Sequence, residues 1–227
     1  MIETPLVKRT CMRDHIRDVL VARILDGTYP PGTQLKELSL AHEFNVSQAP
    51  IREALRELEG SGLVASERFR GTRVRGADSG EMRESYELRC MMEVRAVELA
   101  APFTAQVLEE LERTVCAMAA AVAHDDRERY IDEALRFHRG LIEASGNRTF
   151  LTVWDSLHWD VRGRVTLRRI AHKGGGLKPL VELHKSLWAR LRAQDVPGAT
   201  EKVRAIFKRI ASVYDTERAP PRGASRR

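Results

Sequence analysis

Residues 35–74 read LKELSLAHEFNVSQAPIREALRELEGSGLVASERFRGTRV, and this stretch decides how the front of the chain folds. Residues 35–44 suit a short helix, and Asn45-Val46 a tight turn. Ser47 fits an N-cap and Pro50 the first turn of the next helix, where its missing N–H costs little. Over residues 48–60 Ile51, Leu55 and Leu58 share one face, while Arg52, Arg56 and Glu59 lie off it. Gly60-Ser61-Gly62 stops that helix. Leu63-Val64-Ala65 and Thr72-Arg73-Val74 then suit two short strands joined by a basic turn. Two helices across a short turn, followed by a ribbon, predict a winged helix-turn-helix.

Upstream, residues 10–26 (TCMRDHIRDVLVARILD) carry Ile16, Val19, Leu20, Ile24 and Leu25 at helical spacing. Gly27 and the run Tyr29-Pro30-Pro31-Gly32 end that helix. A unit of this kind places the start of its third helix in the major groove and its wing along a phosphate backbone. Arg68, Arg70, Arg73 and Arg75 cluster at the wing, where phosphate neutralisation is needed; a solvated basic turn is the plainer alternative.

Downstream, residues 76–80 (GADSG) read as a polar linker. Beyond it helical patterns recur at about 80–100, 104–123, 126–145, 148–171, 177–193 and 198–214. The expected fold class is therefore mainly α: an N-terminal winged helix-turn-helix over 1–75, the linker, and an all-α six-helix bundle over 81–215. Residues 216–227 read as a disordered basic tail.

The 227 residues (25.7 kDa), 43% of them apolar, can bury a sizeable core. The net charge of +6 is spread as +2 over 1–76, +1 over 77–215 and +3 over 216–227. Bulk charge is thus weak evidence for a polyanion partner, and the local arginine cluster says more. No run reaches the length of a membrane-spanning helix, and the N-terminus lacks the apolar region of a secretory signal. Cys11, Cys90 and Cys116 form neither a disulfide framework nor a metal knuckle. A cytoplasmic protein is expected. No nucleophile elbow, phosphate loop, zincin motif or dinucleotide fingerprint is present, so no enzyme is expected.

The run from Gly27 to Val74 resembles the DNA-binding domain of the GntR superfamily of bacterial transcription regulators. The residues that carry the likeness are Gly27, Pro31-Gly32, Leu35, Leu40-Ala41, Val46-Ser47, Pro50 to Leu55, Leu58, Gly62-Leu63-Val64 and Gly71 to Val74. The helical remainder resembles the FCD effector domain of the FadR-type branch, through Arg89 and Glu93, Phe137-His138, Ala144 to Asn147, and His184. Six helices resemble the VanR-like group. The resemblance implies DNA contacts from Ser47, Gln48, Ala49 and Arg52 at the head of the recognition helix, and from Arg68, Arg70 and Gly71 at the wing tip. Gln48 departs from the family's usual arginine; glutamine suits adenine where arginine suits guanine. Arg52 has no acid three or four residues to either side, which favours a DNA role over an ion pair within its helix.

The resemblance also implies a divalent metal held by one Asp and three His. His138 and His184 match two of those positions, while Ala134 and Ile206 occupy the other two. Asp132 and Glu133 lie about 240° and 140° around the helix from His138, so neither replaces the lost Asp. His158, on the fourth helical segment, could supply a further imidazole. No family-type metal site or other cofactor is expected. The effector pocket is instead expected around Arg89, His138 and His184, suiting a small organic acid. Arg89 has a second reading, an ion pair with Glu93 one turn on. Arg95, Arg136, Arg139, Arg162 and Trp154 are further candidates. The expected function is a ligand-responsive regulator, a repressor by preference, that binds a near-palindromic operator as a homodimer. The alternative is an architectural or RNA-binding winged-helix protein without effector sensing.

Overall fold

The computed structural model describes residues 12–67, 70–75, 79–172 and 176–214. The chain divides into two compact units, Met1–Ala77 and Asp78–Arg227.

The first unit runs α1 (Met12–Leu25), β1 (Gln34–Leu35), α2 (Glu37–Glu43), α3 (Gln48–Gly60), β2 (Val64–Glu67) and β3 (Gly71–Val74). Ile51, Ala54, Leu55 and Leu58 recur on one face of α3 and are buried there, with Ile16 and Leu20 of α1 and Leu40 of α2 also in the core. Asn45 takes a left-handed backbone (φ 52°) in the turn between α2 and α3, a conformation asparagine tolerates. A Schellman cap closes α3: Leu63 N–H donates to the Leu58 carbonyl and Gly62 N–H to that of Glu59. Gly62 supplies the positive φ (79°) that this cap requires. The chain leaves the cap directly into β2.

The expected two-stranded ribbon is a three-stranded antiparallel sheet in the order β1-β3-β2. Gln34 and Leu35 pair with Arg73 and Thr72. A strand of two residues leaves no alternation to read, which is why the sequence pattern missed it.

Among the described residues the second unit is built of helices: α4 (Ser79–Ala100), α5 (Ala105–Ala123), α6 (Arg127–Ala144), α7 (Arg148–Ser156), α8 (Trp159–His172), α9 (Lys178–Arg192) and α10 (Val196–Ala211). The side chains of Thr104, Asp126, Asn147 and Asp195 cap α5, α6, α7 and α10. The core is built from the inner faces of these helices and includes Phe137, Leu141, Leu187, Val203 and Phe207.

The single helix expected over 148–171 is broken, so six expected helices become seven among the described residues, and helix count no longer points to a six-helix subgroup. The break falls at Leu157 and His158, where His158 adopts φ 50°. No glycine or proline marks it; histidine is one of the few side chains enriched in that backbone region. The break has a packing reason. Five residues apart on one helix, Trp154 and Trp159 would point about 140° from each other. Redirecting the chain brings their rings to 6.1 Å.

Candidate functional sites

The head of α3 is open to solvent. Ser47 sits at the N-cap with extended backbone, but its hydroxyl makes no cap hydrogen bond. Gln48 and Ala49 are exposed. Arg52 does have an acid partner: its Nε donates to Oε2 of Glu37 at 2.9 Å, and its Nη2 donates to Oε1 of Gln48 at 3.3 Å. The acid comes from α2 across the turn, so counting three and four residues along one helix could not find it. With Arg52 about half exposed, such a pair contributes at most about 1 kcal/mol. It orients the guanidinium without committing it.

At the wing, Arg70 is 77% exposed and pairs with Glu67 at 3.3 Å. Gly71 turns the chain with φ 76°, and Gln34 Nε2 donates to the Arg70 carbonyl at 3.0 Å. Gln34 is thus a wing-positioning residue that the sequence pattern did not single out. Arg73 points back, donating to the Gly32 carbonyl. Arg68 lies outside the described residues, as do residues 76–78 of the expected linker and the tail.

In the second unit the structure brings Arg89, His138 and His184 into one buried network, with Glu93 at its centre. Arg89 Nε donates to Glu93 Oε1 at 2.8 Å, so the ion-pair reading of Arg89 is the one that forms. The Arg89 guanidinium also packs on aromatic rings, 4.5 Å from Trp154, 4.7 Å from Trp159, 5.4 Å from Phe207 and 5.9 Å from Tyr86. The other Glu93 oxygen lies 2.6 Å from His138 Nδ1. His138 Nε2 faces His184 Nε2 at 3.1 Å, and His184 Nδ1 donates to the Leu180 carbonyl at 2.6 Å.

These partners fix the tautomers. Since His184 donates from Nδ1, its Nε2 accepts from His138. The three contacts from the Leu180 carbonyl to Glu93 need three protons, and two neutral imidazoles carry two. The third lies in the short contact between Glu93 and His138. Burial pulls the His138 pKa down against the opposing pull of Glu93. His184 is lowered to about 3, by burial first and by His138 second. In the unfolded chain His184 therefore binds a proton below about pH 6.5 that it refuses in the folded chain. Its contribution to stability is full above that pH and is lost as pH falls toward the folded value. His184 alone should remove about 2 kcal/mol between pH 7 and pH 5. Urea midpoints across that range measure it, and a flat profile would show that His184 is not held neutral.

The family metal does not fit these residues. Ala134 and Ile206, at the other two ligand positions, are buried apolar side chains. Among the described residues no cluster of three or more His, Cys, Asp or Glu side chains could hold an ion.

The further candidates separate. Arg95 is exposed and paired with Glu98, whereas Arg162 is buried and bonded to Ser85. Arg136, Arg139 and Trp154 come together with Leu135, Asp155 and Trp159 around a cleft of about 300 Å³. Asp155 and Trp159 were not expected there; the break before α8 brings Trp159 in, and no sequence punctuation announces it.

Residues 84–209 match the FCD domain, and residues 12–74 match the family described as bacterial regulatory proteins, gntR family. The chain is 31% identical over 187 residues to a protein of Paenarthrobacter nicotinovorans named as a probable D-xylose utilization operon transcriptional repressor, spanning 82% of this chain and 81% of that one. It is 29% identical over 192 residues to the HTH-type transcriptional repressor GlaR of Escherichia coli (strain K12), spanning 80% and 86%. Its fold is similar to that of a GntR transcriptional regulator from Rhodococcus sp. RHA1, with TM-score 0.71, 22% identity and coverage of 91% and 99%. It is equally similar to E. coli McbR/YncC, with TM-score 0.71, 24% identity and the same coverage. Among the described residues no helix is long and apolar enough to cross a membrane.

Proposed function

Because the chain belongs to the gntR family of bacterial regulatory proteins and carries an FCD domain, we propose that this transcriptional regulator is a repressor that grips a near-palindromic operator as a symmetric dimer and lets go when a small organic acid enters its helical unit. The observation that carries the reading is the open head of α3 beside an exposed wing arginine. Gln48, Ala49 and Arg52 present side chains to solvent where a major groove would lie, and Arg70 projects from the wing. The repressor names of the relatives support the direction of control.

A self-complementary contact is supported by α4. Leu88, Met91 and Leu99 are exposed at 38%, 63% and 39% and fall within about 80° of one another around the helix. A second copy covering that stripe would set two readers on two half-sites. Effector and operator then influence each other reciprocally, by a coupling of about 1–3 kcal/mol in systems of this type.

Selection of bound duplexes from a random pool, followed by footprinting, tests the reading. The expected product is an inverted repeat with two protected half-sites; uniform coating without a preferred sequence overturns it. Gln48 should favour adenine at its contacted base, and Gln48→Arg should move that preference to guanine, by about 1–3 kcal/mol of discrimination. Selected sites that keep guanine with Gln48 in place would exclude Gln48 from base reading.

A further inference from the structure

We propose that Glu37, the first residue of α2, is a positioning residue for operator recognition: acting through Arg52, it holds the amide of Gln48 in the orientation that reads adenine. The inference rests on the reading of Gln48 as a base contact above, and it adds the residue that governs that contact from a neighbouring helix.

The three side chains form a line of contacts across the helix-turn-helix. Glu37 Oε2 accepts from Arg52 Nε at 2.9 Å, and Gln48 Oε1 accepts from Arg52 Nη2 at 3.3 Å. Gln48 opens α3 and Arg52 follows one turn later, so both stand on the open head of that helix. α2 packs beside α3 and brings the Glu37 carboxylate to them.

A guanidinium only donates, so the Gln48 amide atom that faces it is the oxygen, and the amide nitrogen is turned to the other side. Glutamine recognises adenine through both atoms: the oxygen accepts from N6 and the nitrogen donates to N7. The oxygen has two lone pairs, and Arg52 uses one. A glutamine free to rotate its amide can instead offer both N–H groups to the N7 and O6 acceptors of guanine. Fixing the oxygen removes that alternative and lowers the entropic cost of ordering the side chain on binding.

An untethered arginine would not fix the amide, because its own stem rotates. The guanidinium is planar and rigid, so holding its Nε edge on Glu37 sets where Nη2 points. These contacts use two of its five donors, and the others stay available to the duplex. The charge of Glu37 argues for the same role. A carboxylate beside a DNA-facing helix repels phosphate and lowers affinity for any duplex. Glu37 therefore opposes binding strength in general, while its contact with Arg52 acts on selectivity.

Band shifts of the full chain on three duplexes test the proposal: the selected operator, a copy with the contacted A·T pair changed to G·C, and a scrambled sequence. Glu37→Ala should reduce the preference for A·T over G·C about three- to tenfold, the scale of ordering one flexible side chain. Binding to the scrambled duplex should stay equal or grow stronger, since a negative charge is gone. Glu37→Gln loses the same charge but keeps an acceptor, so it should retain part of the preference that Glu37→Ala loses. In a Gln48→Ala chain, Glu37→Ala should no longer change the preference at that pair. The Glu37 side chain is 35% exposed, so its replacement leaves the core closed, and a melting temperature near that of the unmodified chain checks this. An undiminished preference in Glu37→Ala, an equal weakening on all three duplexes, an equal loss in Glu37→Gln, or a loss that persists without Gln48 would each overturn the proposal. So would the loss of a cytosine preference at another pair, which would make Glu37 a direct reader. Gln48→Arg with Glu37 in place reports on the base-contact reading: failure to move the preference there overturns that reading and the relay with it, whereas failure of Glu37→Ala alone overturns only the relay.

Discussion

Replacing Glu93 by alanine should destabilise the helical unit by about 3–5 kcal/mol, the range seen when one partner of a buried ion pair is removed. Glu93 is fully buried, and one carboxyl group serves two partners, Arg89 through one oxygen and His138 through the other. Its loss leaves the Arg89 guanidinium, 3% exposed, with aromatic faces and no counter-charge from Glu93. It also strands His138 Nδ1. The aromatic packing offsets part of the cost, since a desolvated cation over a ring gains about 2 kcal/mol or more. The second variant separates causes: Arg89→Met combined with Glu93→Leu removes both charges at similar volume and should recover much of the loss. Trp154, Trp159 and Trp188 all lie in this unit, so urea unfolding followed by indole emission reads it directly. A loss below about 1 kcal/mol for Glu93→Ala would mean that Glu93 does not hold the Arg89 charge.

The second large effect concerns DNA. Arg52→Ala together with Arg70→Ala should lower affinity for the selected operator by about 2–6 kcal/mol, roughly 30-fold to 10⁴-fold, from about 1–3 kcal/mol per lost contact. The two residues should differ in kind. Arg70, at the wing, should weaken binding to all sequences alike and reduce the salt slope by about one charge. Arg52, tied to Gln48 at the head of α3, should relax the preference at its base. Both side chains are exposed and their ion pairs weak, so folding stability should change by less than about 1 kcal/mol. Unchanged sequence-selective affinity in the double variant would remove α3 and the wing from the interface. Band-shift titrations at two salt concentrations supply all of these numbers.

The front of the chain was legible because its information is local. A helix whose buried positions repeat at 51, 54, 55 and 58 and end at Gly62 declares itself within a dozen residues. What was not legible is set by geometry between elements. Arg52 looked unpartnered because its acid, Glu37, stands on another helix. The break before Trp159 depends on what two tryptophans gain by converging, and His158 carries no obvious turn signal. His138 and His184 could be nominated and the loss of two metal ligands read directly from Ala134 and Ile206. That Glu93 closes the network from both sides emerged only once α4 and α6 lay side by side.

Arg89 has a consequence for how this domain rests in a cell. An imported ion is acquired from the surroundings, so its occupancy follows trace-element supply and can be stripped by a chelator. A guanidinium is built in at synthesis and keeps its proton across the whole physiological range. The interior positive pole of this domain is therefore inherited with the polypeptide, and nutrient starvation leaves it in place.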